Sequence, residues 1–379
     1  MQNPTLSAKP RYALLDGLRG VAALMVIWYH IFEGFATSPI DQKFNHGYLA
    51  VDFFFVLSGF VIGYAYDDRW NRGMTTKEFI LRRIIRLHPM LVIAAIIGAI
   101  SFLLQGSVQW DGTAIPLSAV ICATILSIFM ILSLPGTTTE VRGNGEMFPI
   151  NGPSWSLFFE YIASFAYALL LRRLSTNALK SIVAVSGIGI AVYLLTNLSG
   201  AYHLGVGWSA GEFGVIGGLL RVSFSFGIGL LMSRGFKPIK IRGAFWICSA
   251  IMIAIFCTPY VGGEQHPILN GVFDAVCTIC IFPIVVYMGA SGFTSDSFST
   301  GICDFFGRIS YPIYIIHYPA MYLFYSWVWN NNLTFSQVWP VAVCIFFGSI
   351  LCAWLLLKYY DEPVRAALTK IIFRRNQNK

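Results

Sequence analysis

Long apolar runs, separated by short polar stretches, alternate along the whole chain. A helix needs about 20 predominantly apolar residues to cross the hydrocarbon core of a bilayer. Runs long enough to be candidates recur eleven times, so the pattern predicts an all-α fold, a polytopic bundle of transmembrane helices. The predicted segments lie near residues 15–35, 47–66, 88–105, 115–135, 154–171, 181–199, 209–232, 244–260, 268–290, 308–329 and 339–360.

Composition agrees with a membrane protein. The 379 residues are 56% hydrophobic and 12% charged, whereas a soluble domain carries about 25% charged residues. The formal net charge of +8 comes mostly from Lys and Arg in short loops, a pattern typical of cytoplasmic loops rather than of a nucleic-acid-binding surface. We therefore expect one membrane domain over 1–379, with no soluble appendage, that contacts membrane lipids and binds no nucleic acid.

The basic clusters also predict orientation, because Lys and Arg are enriched in cytoplasmic loops. Both termini are expected to be cytoplasmic, in a bacterial cytoplasmic (inner) membrane. The first apolar segment lacks a small-residue cleavage site, so we interpret it as a retained helix rather than a signal peptide. The stretches predicted to be cytoplasmic are the N-terminus with Lys9 and Arg11, the basic amphipathic stretch 67–88, the loops near 172–180 and 234–242, and the basic tail 361–379.

This orientation conflicts with the number of segments, since two cytoplasmic termini require an even number of crossings. We resolve the conflict by predicting that the segment 115–135 is re-entrant or lies in the membrane interface. About ten spanning helices then remain. The stretch 136–153 would face outside despite Arg142.

Two titratable side chains lie inside the first apolar segment, where a polar group usually faces protein, water or substrate rather than lipid. Arg19 and His30 are eleven residues apart, so they share a helix face with a rise of about 16 Å between them. At that distance they cannot hydrogen-bond each other. They are, however, placed to act on two parts of one long ligand.

Each of the two residues has a functional interpretation and a structural alternative. A neutral imidazole at His30 suits a general base that takes a proton from a hydroxyl group, and Glu33 at i+3 is placed to orient it. The alternative is a histidine packed against a neighbouring carbonyl. Arg19 suits a phosphate or a developing oxyanion, whereas Asp16 at i−3 offers it a local ion pair at the helix start.

The stretch TTKEFILRRIIRLHP, residues 75–89, has the pattern of an amphipathic interfacial helix. Thr75 or Thr76 is a suitable N-cap, and Pro89 ends this helix or begins the next span. Its basic side chains either anchor the helix to anionic lipid headgroups or bind a phosphorylated donor. They are Arg82, Arg83 and Arg86.

Other polar residues recur deep in the later segments. Glu160 and Arg221 are charges within predicted spans, where each needs a partner; a pocket role and structural pairing are the two alternatives. Tyr311, Tyr314 and His317 follow each other at i+3 steps and form one polar stripe. That stripe either lines a substrate cavity or belongs to an interfacial aromatic belt.

The eight cysteines lie mostly in apolar segments and are typical of small buried side chains. Cys277 and Cys280 form an isolated C-x-x-C pair, and a zinc site would need further ligands nearby. We therefore predict no metal site.

Five of these motifs, in this order, resemble the acyltransferase 3 family of integral-membrane O-acyltransferases. The resemblance runs over nearly the whole chain and includes the Arg-x10-His spacing of Arg19 and His30. The motifs that carry it are LDGLRGVAALMVIWYH near the start, VDFFFVLSGFVI at 51–62, RRIIRLHP at 82–89, PSWSLFFEY at 153–161 and ISYPIYIIHYP at 309–319.

The resemblance implies an acyl-CoA donor, most simply acetyl-CoA, used as a co-substrate with no permanently bound cofactor. It implies a glycan or lipid-linked sugar hydroxyl as acceptor, and essential roles for Arg19 and His30. Many members carry an added SGNH domain, and this chain is expected to be a stand-alone form without it. The residues expected to bind the donor are Arg82, Arg83 and Arg86. Glu160 is expected to be catalytic together with Arg19 and His30, as a group that orients His30 in the way also considered for Glu33. The expected pocket residues are Asp16, Glu33, Tyr311, Tyr314 and His317.

A polytopic transporter or glycan flippase without acyl-transfer chemistry is the alternative class. Titratable groups at membrane depth and helices broken by proline also occur in transporters. Consumption of labelled acetyl-CoA by the purified protein would separate the two classes.

Overall fold

The computed structural model describes residues 12–374, except Glu212 and Ser295. The predictions for Lys9, Arg11 and the last residues of the tail, 375–379, lie outside the described residues. Short strands at Ile241–Arg242 and Gly292–Phe293 pair in parallel. The helices are α1 (Ala13–Glu33), α2 (Ala50–Asn71), α3 (Thr76–Leu104), α4 (Leu117–Ile128), α5 (Ser154–Leu169), α6 (Thr176–Leu195), α7 (Gly214–Gly235), α8 (Ala244–Phe256), α9 (Ile268–Val276), α10 (Phe282–Ser291), α11 (Ser297–Ile316), α12 (Tyr318–Asn330), α13 (Phe335–Leu356) and α14 (Glu362–Arg374).

The all-α polytopic helix bundle is confirmed. Within the described residues, eight helical segments are long and apolar enough to cross a membrane. Four of them join consecutive elements, namely His46–Asn71 (a short helical turn and α2), Ser154–Arg173 (α5 and the turn after it), Ile268–Ser291 (α9 and α10) and Phe335–Phe373 (α13 and α14). Each of the eight coincides with one of the predicted segments. This count is below the expected number of about ten because α8 has only 13 residues. In addition, the predicted segment 308–329 is divided between α11 and α12. The side of the membrane that each loop faces stays a prediction.

The segment predicted as re-entrant or interfacial contains α4. Its 12 residues extend about 18 Å as a helix, against about 30 Å of hydrocarbon. A helix of this length does not cross a bilayer, which agrees with the predicted exception at 115–135.

The basic stretch 75–89 is not a separate interfacial helix. It is the first half of α3, a single helix of 29 residues that contains Pro89 in its interior. The Thr75 side chain is the N-cap, since it accepts a hydrogen bond from the Glu78 N–H at 3.1 Å. The prediction that Pro89 divides two helices was wrong, because the loss of one N–H donor is compensated here by packing along both halves of the helix.

A break between α11 and α12 falls at His317. Pro319 has no N–H, so it cannot bond the carbonyl of Ile315, four residues earlier. The Asn151 side chain donates to that carbonyl at 3.0 Å, and the Ser101 hydroxyl donates to the Pro319 carbonyl at 2.6 Å. Two distant parts of the chain therefore satisfy the backbone at the break.

The helix α1 lies at the centre of the bundle, in contact with α2, α8, α10, α11, α12 and α13. The closest backbone approach elsewhere is between α2 and α7. A β-carbon at Gly59 would lie 2.0 Å from the Phe226 carbonyl oxygen, and one at Gly229 would lie 2.0 Å from the Val56 carbonyl oxygen. Only glycine allows this contact, which is the geometry of small-residue packing between membrane helices.

The C-terminal residues predicted as a tail are part of the fold. A π-helical turn, Leu357–Asp361, joins α13 to α14 without a gap, so one continuous helical segment runs over residues 335–373. The basic character of 361–379 therefore belongs, as far as the described residues extend, to a helix that packs on α3.

Arg142, which the orientation argument leaves on an outward-facing stretch, is fully buried. Its guanidinium lies 3.5 Å from the centre of the Tyr322 ring, and its Nε donates to the Pro149 carbonyl at 3.0 Å. Glu146 accepts from the Tyr322 hydroxyl, and burial raises the pKa of this carboxyl group. Because Arg142 is held by an aromatic ring and a carbonyl, its charge is part of the internal packing and carries no information about membrane side.

Candidate functional site

A cavity of about 1400 Å³ lies between α1, α2, α3, α5, α11 and α14. Apolar side chains of α2, including Phe54 and Leu57, form one wall. The ionisable side chains around it are unbalanced, because the described lining contains seven basic and three acidic residues. The basic residues are Arg19, Arg82, Arg83, Arg86, Arg308, Arg365 and Lys370, and the acidic residues are Asp16, Glu160 and Glu362.

Arg19 lines this cavity and fastens α1 to α11. Its Nε donates to the Ser310 hydroxyl at 2.7 Å, and one terminal nitrogen donates to the Gly307 carbonyl at 3.1 Å. The same nitrogen lies 3.1 Å from the Asp16 carboxylate. The local ion pair considered from the sequence is therefore present, together with two contacts to α11 that the sequence did not reveal.

Glu160 lies in the cavity and pairs with one of the predicted donor-binding residues. Its Oε1 is 2.5 Å from an Arg83 terminal nitrogen and accepts from the Ser58 hydroxyl at 3.0 Å. Glu160 was also considered as a group that orients His30, and the structure does not bring those two residues together. The Glu160 carboxylate instead bonds Ser58 of α2 and Arg83 of α3.

The other two members of the predicted donor-binding run differ in their contacts. Arg82 bonds Glu78 through two nitrogens, at 2.7 and 3.1 Å, and its guanidinium lies 4.5 Å from the centre of the Phe373 ring. Arg86 makes no hydrogen bond or ion pair with any residue that the structure describes. The ionised groups that act on it include three cations, Arg19, Arg83 and Arg365, and one anion, Asp16, so positive charge predominates in this part of the cavity.

His30 lies outside this cavity, in a second cluster near the C-terminal end of α1. Its Nδ1 is 2.7 Å from the Glu33 carboxylate, which also accepts from the Tyr325 hydroxyl at 2.9 Å. A carboxylate at Nδ1 holds the proton on that nitrogen, so Nε2 keeps its lone pair. The His30 side chain is 17% exposed, which makes Nε2 a candidate base for an incoming hydroxyl group.

The imidazole of His317 stacks on that of His30, with ring centres 5.3 Å apart. Its Nδ1 faces the carbonyls of Ile313 and Tyr314 at 3.1 and 2.9 Å. Nδ1 is therefore the donor, and Nε2 is a buried acceptor without a partner in the described part of the chain. Two imidazoles thus lie side by side, each with an oxygen acceptor next to its Nδ1.

The predicted stripe on α11 connects the cavity to this cluster. Tyr311 and Tyr314 line the cavity, where Tyr311 donates to the Leu87 carbonyl at 2.5 Å and Tyr314 shares a 2.6 Å hydrogen bond with Ser156. His317, the third member of the stripe, has its ring centre 6.2 Å from that of Tyr314. The cavity lining therefore stops at Tyr314, one step before the two histidines.

Arg221, the other deep charge, lies in a separate buried network. It bonds Asp52 of α2, with contacts from 2.8 to 3.2 Å, and it donates to the carbonyls of Val206 and Tyr48. Both charged side chains are fully buried. Of the two alternatives considered for Arg221, a pocket role and structural pairing, the contacts correspond to structural pairing.

The contribution of α14 to the cavity lining was not predicted from the sequence. Its lining residues recur at spacings of three and four, which is the signature of one helix face. That signal was present in the sequence but was hidden by the basic composition, which is typical of a tail. The residues concerned are Glu362, Arg365, Ala366, Thr369, Lys370 and Phe373.

The bundle and its cavity describe an integral membrane protein with a cation-lined interior compartment beside a carboxylate-bound histidine. The chain belongs to the acyltransferase 3 family, since residues 12–358 match the family model described as "Acyltransferase domain". The resemblance seen in the sequence motifs is thereby confirmed.

Two curated relatives are similar to the chain over different lengths. "Protein 2 in picA locus" of Rhizobium radiobacter is 34% identical over 190 residues, which is 49% of this chain and 96% of the relative. A "Peptidoglycan O-acetyltransferase" of Listeria monocytogenes is 24% identical over 383 residues, 96% of this chain. The chain spans 57% of the length of the latter. No solved structure matches the chain.

Proposed function

We propose that the protein is a membrane O-acyltransferase that transfers an acetyl group from acetyl-CoA to a hydroxyl group of a surface polysaccharide or lipid-linked sugar. One observation carries the proposal. The lining of a cation-rich cavity includes Tyr314, the ring centre of His317 lies 6.2 Å from that of Tyr314, and His317 stacks on His30, whose Nδ1 is held by Glu33. Family membership and the similarity to an O-acetyltransferase support the same chemistry.

The cavity suits a long, anionic donor. Ligand pockets usually measure about 300–1,000 Å³, and this one is larger, at about 1400 Å³. Arg86 has no carboxylate partner among the residues that the structure describes, so a phosphate would neutralise it with charge-assisted hydrogen bonds. The basic residues of α3 and α14 favour the cytoplasmic side for this end of the bundle.

The acceptor is proposed to reach His30 from the side away from the cavity. His30 Nε2 takes the hydroxyl proton while the acceptor oxygen bonds to the thioester carbonyl carbon. The carbon–sulfur bond then breaks, and the proton passes from the imidazolium to the departing CoA sulfur, which leaves no net charge behind. Glu33 stabilises the transient imidazolium, and Arg19 supplies positive charge on the donor side.

We propose that the Tyr314 side chain turns away from Ser156 as the thioester moves towards His30, because Tyr314 lines the cavity next to His317. The spacing of Arg19 and His30 suggested that one long ligand contacts both residues along a single face of α1. The movement of Tyr314 is an additional step in that arrangement. In the proposed reaction, Arg19 acts on the cavity side of Tyr314 and His30 acts on the other side.

The test is transfer from acetyl-CoA labelled in the acetyl group, using detergent-purified protein and glycan from the same membrane. His30→Ala and Arg19→Ala variants that insert and purify normally are expected to lose transfer. Mass analysis of glycan from cells with and without the protein identifies the acetylated hydroxyl. Full activity in either variant refutes its role, and a wild-type protein that never consumes acetyl-CoA favours the flippase alternative.

A further inference from the structure

The helix α14 presents one face to the cavity. Arg365 and Lys370 lie on that face, with a rise of about 7.5 Å between them along the helix. On the opposite side, Ile371 is 59% exposed. Arg365 and Lys370 therefore line the compartment while Ile371 faces outward, which is the reverse of a helix that offers its charges to lipid headgroups.

Contacts at both ends hold α14 across the cavity. Near its start, Glu362 pairs with Arg308 of α11 at 2.7 Å. Near its end, the Phe373 ring lies under the Arg82 guanidinium of α3, at 4.5 Å. The helix thus bridges two walls of the compartment and forms a third.

Five of the seven lining cations have a carboxylate partner, whereas Arg86 and Lys370 have none among the described residues. Arg365 bonds Asp361 at 3.0 Å and is one of the charges that act on Arg86. Lys370 makes no hydrogen bond or ion pair with the described residues. Like charges grouped around a partly buried, unpaired guanidinium repel each other unless an anion joins them.

We propose that α14 forms the part of the donor site that binds the phosphates at the nucleotide end of CoA. Arg365 shares one phosphate group with Arg86, and Lys370 binds a second, nearer the end of the helix. This inference rests on the proposed function, because it assigns the anion that the cavity takes. It also gives α14 a specific task in distinguishing CoA from a thioester that has no nucleotide.

The first experiment measures binding of CoA and of 3′-dephospho-CoA to the full-length purified protein, without turnover. Arg365→Gln and Lys370→Gln are each expected to weaken CoA binding about tenfold, since each removes a charged hydrogen bond to phosphate. Lys358→Gln is the matched control, because Lys358 lies beside the rings of Trp354 and Tyr359 on the same helical segment and is outside the cavity lining. This control is expected to bind CoA as the wild type does.

The second experiment compares acetyl-CoA with S-acetylpantetheine, which lacks the nucleotide. The Arg365→Gln and Lys370→Gln variants are expected to raise KM for acetyl-CoA about tenfold and to leave KM for S-acetylpantetheine unchanged. A merely structural role for α14 would impair both substrates equally and would overturn the assignment.

The outcomes separate this inference from the proposed function. A wild-type protein that binds CoA without transferring acetyl groups removes the proposed function, and the binding of the two variants then still decides the role of α14. A wild type that does not bind CoA overturns the role of α14. Unchanged CoA affinity in both variants, together with loss of thermal stabilisation by phosphatidylglycerol in nanodiscs, would assign the cations to lipid and also overturn it.

Discussion

The hydrogen bond between His30 and Glu33 allows the catalytic proposal to be tested at a single charge. Glu33→Gln keeps the shape of the side chain and an oxygen that accepts from Nδ1, but it removes the negative charge that lies 2.7 Å from the ring. If His30 takes a proton during transfer, its imidazolium then faces a neutral amide. The substitution should therefore slow the chemical step rather than weaken donor binding.

The size of the effect follows from the contact. A hydrogen bond to a charged group contributes about 1.5–3 kcal/mol, and each 1.36 kcal/mol changes a rate tenfold. We expect kcat to fall about 10- to 150-fold, with KM for acetyl-CoA within about twofold of the wild-type value because Glu33 lies outside the donor cavity.

The assay is steady-state transfer from labelled acetyl-CoA, with thermal unfolding of each purified variant as a check on folding. Tyr325→Phe is the graded control. It removes a hydroxyl group that donates to Glu33 at 2.9 Å but keeps the carboxylate charge beside His30, so its kcat should fall less than that of Glu33→Gln. Wild-type kcat in Glu33→Gln, or a rise in KM without a fall in kcat, would refute the role of Glu33 in supporting a base.

Three further predictions concern the packing around the site. Arg83→Gln should lower the unfolding temperature because it leaves Glu160 without its cation, and a double-mutant cycle with Glu160→Gln should show coupling of about 1 kcal/mol or more; additive effects would contradict the pair. Gly59→Val should prevent normal insertion or folding, since its side chain would meet a carbonyl of α7; a folded variant with wild-type thermal stability would show that the helices are not in this contact. Asn151→Ala should destabilise the protein by about 1–3 kcal/mol because the carbonyl of Ile315 loses its donor, and unchanged thermal unfolding would show that water replaces the amide.

The sequence predicts this fold well where the signal is local and long. Eight apolar segments became helices of spanning length, because hydrophobic length is sufficient to specify a membrane helix. It is harder to predict from the sequence that α4, α8 and the divided pair α11 and α12 are not single spanning helices, since their apolar composition resembles that of a span. Their ends are determined by caps, prolines and donors such as Asn151, which lies far from Ile315 in sequence.

The same distinction holds for the site. Contacts at i+3 on one helix, such as His30 with Glu33, follow from helical geometry and were anticipated. The partner of Glu160 was not anticipated, because Arg83 lies on another helix and only the packing of the bundle brings the two residues together. The position of α14 was missed for a related reason, since composition alone does not show what a basic helix packs against.

The hydrogen bond between Ser156 and Tyr314 lies in the cavity lining next to His317, which stacks on His30. In the proposed reaction this bond must open once per turnover. A bound thioester would otherwise wait behind a phenol ring, shielded from water that reaches His30. Such an arrangement would couple loss of the acetyl group to arrival of the sugar, so that little of the activated donor is wasted by hydrolysis between acceptors.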